Sequence, residues 1–245
     1  MMKRGFTLIE ILVVTLVLTI LISLLLAGLN SIRQASRTIS CLSNQSQIGK
    51  SMMMYSTDNK DWIPREGTAN PNNRKVPWAV LFRPYLNLDN PTGDLFANSP
   101  YYKDSSRLSD NHKIHYVLNA MPFLSDGTVD PRAYAYDIFR RMPIKLSRIP
   151  FPSNTLYITC FAHDDDNRLY TIWDLDNATG DEEIAQYYDI WSLDHINPNH
   201  LDNRIDPKRH GSGSNATYFD GHARFIKQED LTNRITWNDF LVRRR

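Results

Sequence analysis

The sequence predicts an α+β protein: one long N-terminal helix, transmembrane in its first half and amphipathic in its second, packed on a C-terminal antiparallel β-sheet. Three observations carry this reading. Residues 6–29 form an apolar run whose only formal charge is Glu10. Residues 6–58 contain no proline, and apolar positions continue at helical spacing past the apolar run. Finally, residues 155–161 (TLYITCF) and the two runs flanking Asp220-Gly221 are rich in strand formers.

The helix comes first. Residues 11–29 are 19 residues without a charge, about 28 Å as a helix and close to the hydrocarbon thickness of a bilayer. A secretory signal would have a shorter apolar region followed by a small-x-small cleavage site, and none stands out after Leu26. Lys3 and Arg4 precede the run, so the positive-inside rule places the N-terminus in the cytoplasm and the remainder outside. A carboxylate at membrane depth is costly, and its default reading is functional. Glu10 is therefore the first candidate site residue.

Beyond the apolar run come Ile32, Ala35, Ile39 and Leu42, then Ile48, Met52 and Tyr55, and spacings of three and four argue for an amphipathic helix. This predicts a single helix of about 50 residues, ~75 Å long, with a membrane part over 6–29 and an amphipathic part over 30–58. Gly28 and Gly49 weaken it without ending it, and Met52, Met53 and Met54 are expected to pack on the globular part. Residues 59–245 then form a loop-rich α+β domain. Prolines crowd residues 64–152, where short helices are expected over 78–85 and 133–140 and a strand over 114–118.

The C-terminal half supplies the sheet: residues 155–161, 216–219 and 222–226. Asp220-Gly221 between two strand-like runs predicts a two-residue type I′ hairpin, in which both turn residues take positive φ. Gly211-Ser212-Gly213-Ser214 reads as a flexible loop, and a last helix is expected around 229–234. Charge is balanced, with a net charge of +1, and nothing argues for a nucleic-acid partner; Arg243, Arg244 and Arg245 read as a solvated tail. Two cysteines, Cys41 and Cys160, cannot define a disulfide framework, but one bridge can form in an oxidising compartment. Cys41 lies on the predicted helix and Cys160 in a strand placed over it.

The N-terminal residues Arg4-Gly5-Phe6-Thr7-Leu8-Ile9-Glu10 resemble the signal of type IV pilins and type II secretion pseudopilins. The resemblance implies cleavage after Gly5 by a prepilin peptidase, a leader of residues 1–5 and N-methylation of Phe6. It also implies a partner for Glu10, the α-ammonium of Phe6 on a neighbouring subunit, since pairing two costly buried charges selects axial register. The chain departs from many such pilins in having Ala27 where they carry a helix-kinking proline. Residues 41–64 (CLSNQSQIGKSMMMYSTDNKDWIP), 145–160, and His210 followed after nine residues by Asp220-Gly221 resemble a large bacterial pilin-like family labelled prepilin-type, processing-associated. That resemblance implies a pilin-like fold; the label records co-occurrence with the N-terminal signal and does not establish a processing activity, and no enzymatic activity is expected.

The remaining candidates have structural readings. Asp220 and Gly221 make the turn and His210 packs at its base; a catalytic His–Asp pair lacks a serine or cysteine nucleophile at a recognisable elbow. Asp174, Asp176, Asp181, Glu182 and Glu183, with residues 163–167 (HDDDN), are read as exposed acidic loops. Calcium is the alternative there, although Asp174-x-Asp176 fails the EF-hand template at Ala178 and Gly180. His112 and His115 lack the glutamate of a zinc protease and are read as non-ligands. No cofactor and no catalytic residue is expected.

The function expected is structural: a subunit of a type IV pilus or type II secretion pseudopilus, anchored in the bacterial inner membrane, with copies of itself and other pilins as partners. The alternative is a membrane-tethered periplasmic binding or hydrolytic domain exported through a prepilin signal. A deep pocket joining His210, Asp220 and the acidic loop would favour it.

Overall fold

The computed structural model describes residues 7–64, 68–69, 75–76, 78–88, 99–107, 114–121, 143–149, 151–162, 188–190, 193–197, 199–200 and 203–232. The helix expected over 133–140, the acidic loops, His112 and the arginine tail lie outside the described residues.

Helix α1 runs unbroken from Leu8–Asp58. No proline interrupts it and Gly28 does not end it, as the sequence predicts. Hydroxyls in the apolar half bond back to their own helix: Thr15 to Leu12 O (3.0 Å), Thr19 to Leu16 O and Ser23 to Ile20 O (both 2.8 Å). This satisfies polar groups that lipid could not. The helix ends without a glycine. Asn59 caps it by donating its N–H to Tyr55 O, Lys60 and Asp61 both take positive φ (55° and 72°), and Asp61 N–H returns to Ser56 O (2.8 Å).

Short elements follow: β1 (Trp62–Ile63), β2 (Thr68–Ala69), β3 (Lys75–Val76) and α2 (Trp78–Phe82), which runs into a 3-10 turn at Arg83–Leu86. Then come β4 (Tyr116–Asn119), β5 (Ile144–Lys145), β6 (Leu156–Cys160), β7 (Asp189–Ile190), β8 (Gly213–Tyr218), β9 (Ala223–Lys227) and α3 (Gln228–Thr232). β1 pairs with β5 and β2 with β3 as two small ribbons, and the main sheet has the order β7-β4-β6-β8-β9. It is antiparallel except at one edge, where β7 joins β4 in parallel. Sequence reading missed β7, which is too short to show a strand pattern.

Every residue of β4, β6 and β8 is buried. Central strands covered on both faces read as continuous apolar runs, which is why TLYITCF was legible. An aromatic cluster fills the space beside α1: Tyr55 edge-on to Phe82 (5.8 Å), Trp78 edge-on to Tyr102 (5.5 Å) and Tyr157 against Phe219 (4.8 Å). Such pairs add about 0.5–1.5 kcal/mol each beyond their buried area.

The packed face of α1 differs from the one expected. Ile32 and Ile39 are exposed, as is Ala35; the buried stripe is Cys41, Gln45, Ile48, Ser51, Met52 and Ser56. Met52 is buried, whereas Met53 and Met54 are exposed. The globular part reaches up the helix to Thr38, whose carbonyl accepts from Asn215 Nδ2 (2.9 Å), and to Gln34, whose side chain lies against Gly211. The expected positions fall on two sides of α1: Ile48, Met52 and Tyr55 pack on the domain, while Ile32, Ala35 and Ile39 lie roughly opposite.

The β8–β9 hairpin is present, with Thr217 opposite Ala223 and Gly213 opposite Lys227. Its turn is not the type I′ expected. Gly221 has φ 87°, but Asp220 is absent from the residues at positive φ. Gly221 N–H donates to Tyr218 O and Tyr218 N–H to His222 O, both at 2.9 Å. This is a turn spanning Tyr218 to Gly221 with the glycine in the left-handed bulge position. The cause is Phe219, which leaves the ladder: its ring is buried against Tyr157 and its N–H donates to Thr155 O (3.0 Å). Gly213 and Ser214 also belong to β8 rather than to a flexible loop.

At Gly221 an added Cβ would stand 2.9 Å from Met53 Cγ, on a backbone that L-residues rarely adopt. Gly221→Val is expected to destabilise the domain by more than ~1 kcal/mol. Asp220→Asn should be mild, because an asparagine oxygen can still accept from His222 N–H, as Asp220 Oδ1 does at 3.1 Å. Thermal melts of the two variants check this; equal losses would contradict it.

Candidate functional site

Two places in the molecule hold chemistry. The first is the start of α1. Thr7 is the N-cap, and its backbone N–H and hydroxyl both donate to Glu10 Oε2 (2.8 and 2.7 Å). Glu10 N–H donates to Thr7 Oγ1 (3.4 Å), completing a reciprocal capping box. The carboxylate thus answers the unsatisfied N–H groups that begin any helix. Leu8 and Ile9 beside it are exposed, as are the large apolar side chains from Ile11 to Leu26. Gly5 and Phe6 lie outside the described residues.

The second place is the inner face of α1, where it meets the sheet. Cys41 on α1 and Cys160 at the end of β6 face each other with sulfurs 3.8 Å apart. Both are buried free thiols in this structure, their sulfurs well beyond the about 2.05 Å of a disulfide bond. His210, in the turn just before β8, points Nε2 at Cys160 Sγ (3.9 Å). Asp104, after the 3-10 turn Pro100–Tyr102, brings Oδ2 to 3.5 Å from the same nitrogen. One ligand atom from each of these four residues lies within 4.8 Å of every other, and all four residues are buried.

Neighbours hold this group in place. Asp104 N–H donates to His115 Nδ1 (2.8 Å), and Asp104 Oδ1 accepts from Ser106 N–H (2.9 Å), which turns Oδ2 inward. Arg209 sets Nε 3.8 Å from Asp104 Oδ2 and 3.4 Å from Asp206 Oδ2. Gln45 Nε2 donates to Cys160 Sγ (3.4 Å) and to Asn215 O (3.2 Å), and Tyr116 OH lies 3.6 Å from Cys41 Sγ. Burial pushes the Cys41 thiol well above its usual range. Cys160 feels the same burial, but hydrogen bonds with Cys41 and His210, aided by the Arg209 charge, carry it below its usual range.

Sequence reading placed Cys41 and Cys160 together but put His210 at the base of the Asp220-Gly221 turn, whereas it lies beside Cys160 at the other end of β8. Asp104 gave no signal: it sits far from the other three along the chain, in no motif. His210 and Asp220 stand at opposite ends of β8, roughly 20 Å of extended chain apart; Asp220 is exposed and paired with His222 Nδ1 (2.6 Å). The calcium candidates Asp174, Asp176, Asp181, Glu182 and Glu183 lie outside the described residues.

The family model for the prokaryotic N-terminal methylation motif matches residues 1–26. Comparison with curated proteins and with solved structures found no match. The chain thus carries a prepilin-type signal, that of a type IV pilin-like substrate of prepilin peptidase in general. The signal heads a helix long and apolar enough to cross a membrane, joined to an α+β domain.

Proposed function

We propose that the protein is a structural subunit of a type IV pilus or type II secretion pseudopilus, cleaved after Gly5 and N-methylated at Phe6. The observation that carries the reading is the division of α1. The prepilin-type signal leads into a helical half whose large apolar side chains are all exposed, while the half after Thr38 is bound to the sheet. Exposed apolar length of this kind inserts in the inner membrane before assembly and packs against neighbouring subunits afterwards. The leader charge orients the chain with its N-terminus in the cytoplasm and the domain periplasmic. Glu10 pairs with the Phe6 ammonium of a neighbour and selects register.

A structural role is favoured over a tethered hydrolytic domain by the separation of His210 from Asp220 across β8 and by the closed packing around His210. Processing tests the proposal. Intact mass after co-expression with a prepilin peptidase is expected to show loss of residues 1–5 and addition of one methyl group. Gly5 replaced by a bulky residue should block both. Uncut wild-type chain, under conditions that cleave a control prepilin, would overturn the reading.

A further inference from the structure

We propose that Cys41, Asp104, Cys160 and His210 form a closed structural site for one thiophilic, tetrahedral divalent metal ion, zinc. The inference is independent of filament assembly, since it concerns how the domain is held to its own helix.

The geometry points to it first. Two sulfurs each ~2.3 Å from a zinc at the tetrahedral angle stand about 3.8 Å apart, and Cys41 Sγ and Cys160 Sγ are 3.8 Å apart. The His210 Nε2 contacts, 3.9 Å to Cys160 Sγ and 3.5 Å to Asp104 Oδ2, are likewise edges of a small tetrahedron. The four donors come from α1, the loop after Pro100–Tyr102, the end of β6 and the turn before β8, so their convergence is a tertiary event rather than local accident.

Polar accounting points the same way. Asp104 Oδ2 is buried without a hydrogen-bond partner among the described residues, aimed into the space between the sulfurs and the imidazole. An ionised oxygen in such a place is costly unless a cation faces it. Arg209 approaches only to 3.8 Å. A zinc ion at the centre would bind that oxygen, both sulfurs and His210 Nε2. Two thiolates, one carboxylate and a neutral imidazole around a divalent ion leave one negative charge, which faces the adjacent Arg209 guanidinium, shared with Asp206. The thiol protons leave to solvent on binding. Sulfur donors exclude calcium and magnesium, which take oxygen ligands.

Four protein ligands leave no open position, which is the mark of a structural rather than a catalytic zinc. The site would tie α1 to the sheet at one end of β8. At the other end Gly221 already rests against Gly49 and Met53 of the same helix. His210 and the Asp220-Gly221 turn, with nine residues between them, would then be two points at which β8 is fixed to α1.

The test uses the full-length chain purified in detergent. Elemental analysis is expected to find one zinc per chain, and removal by a chelator should lower the melting temperature. Cobalt(II) in its place should give tetrahedral d–d bands and thiolate charge transfer, a readout that needs no variant. Cys41→Ser and His210→Ala should each weaken zinc binding by more than the roughly 10–100-fold that loss of an outer-shell partner costs. Asp104→Asn, which preserves shape, should change the cobalt spectrum with the fold intact. A wild-type chain free of metal and with Cys41 and Cys160 joined in a disulfide would overturn the proposal. So would a metal-loaded chain whose affinity and cobalt spectrum ignore all three variants.

Discussion

Glu10→Val is expected to insert in the membrane and to yield no filaments. The apolar run loses its only charge, so insertion becomes more favourable. What is lost is the group proposed to pair with a neighbour's Phe6 ammonium. The same carboxylate also caps its own helix, accepting from the Thr7 N–H and hydroxyl. Glu10→Gln separates the two roles. A glutamine oxygen can still accept from Thr7 N–H and keep the capping box, but it carries no charge for a neighbour. Membrane fractionation and electron microscopy of both variants decide the matter. Failure of both supports an intermolecular ion pair. Normal filaments from Glu10→Gln with none from Glu10→Val would show that capping is the role, and normal filaments from both would remove any part for Glu10 in assembly.

Gly49→Ala is expected to destabilise the domain although it improves the helix. In an isolated helix the exchange gains about 1 kcal/mol. Here the new Cβ would stand 2.5 Å from the Gly221 carbonyl oxygen and 2.8 Å from Thr217 Cγ2. The first of these is backbone, held by the β8–β9 turn, and cannot rotate aside. Overpacking of this kind costs roughly 1–3 kcal/mol, and two rigid elements must separate to relieve it. A net loss of stability of up to ~2 kcal/mol is therefore expected. Chemical denaturation of the chain in detergent measures it. An alanine variant as stable as wild type would mean that the hairpin does not lie this close to α1.

The two glycines in that contact illustrate how unevenly the fold was legible. Gly221 announced itself, because Asp-Gly between strand-like runs is a local signal. The helical Gly49 read only as a weak point in α1, because what it accommodates is a backbone 172 residues further along the chain. The hairpin was legible but its turn type was not: burial of Phe219 against Tyr157 withdrew one residue from the ladder and lengthened the connection. Likewise the exposed Ile32 and Ile39 lie on the side of α1 roughly opposite the buried Ile48.

The sequence by itself determined the features that depend on near neighbours. An apolar run without proline must satisfy its backbone internally, so the chain starts as one helix, and the spacing of Gly5, Phe6 and Glu10 marks its signal. Runs of β-branched and aromatic residues form the buried strands β4 and β6 wherever they pair. Only the tertiary structure decided the pairing order, the parallel edge strand β7 and the stretch of α1 that is covered. Above all, it alone gathered Cys41, Asp104, Cys160 and His210, four residues from four elements with no common motif. Their meeting depends on how α1 lies across the sheet, a matter of packing many side chains at once, which no local pattern encodes.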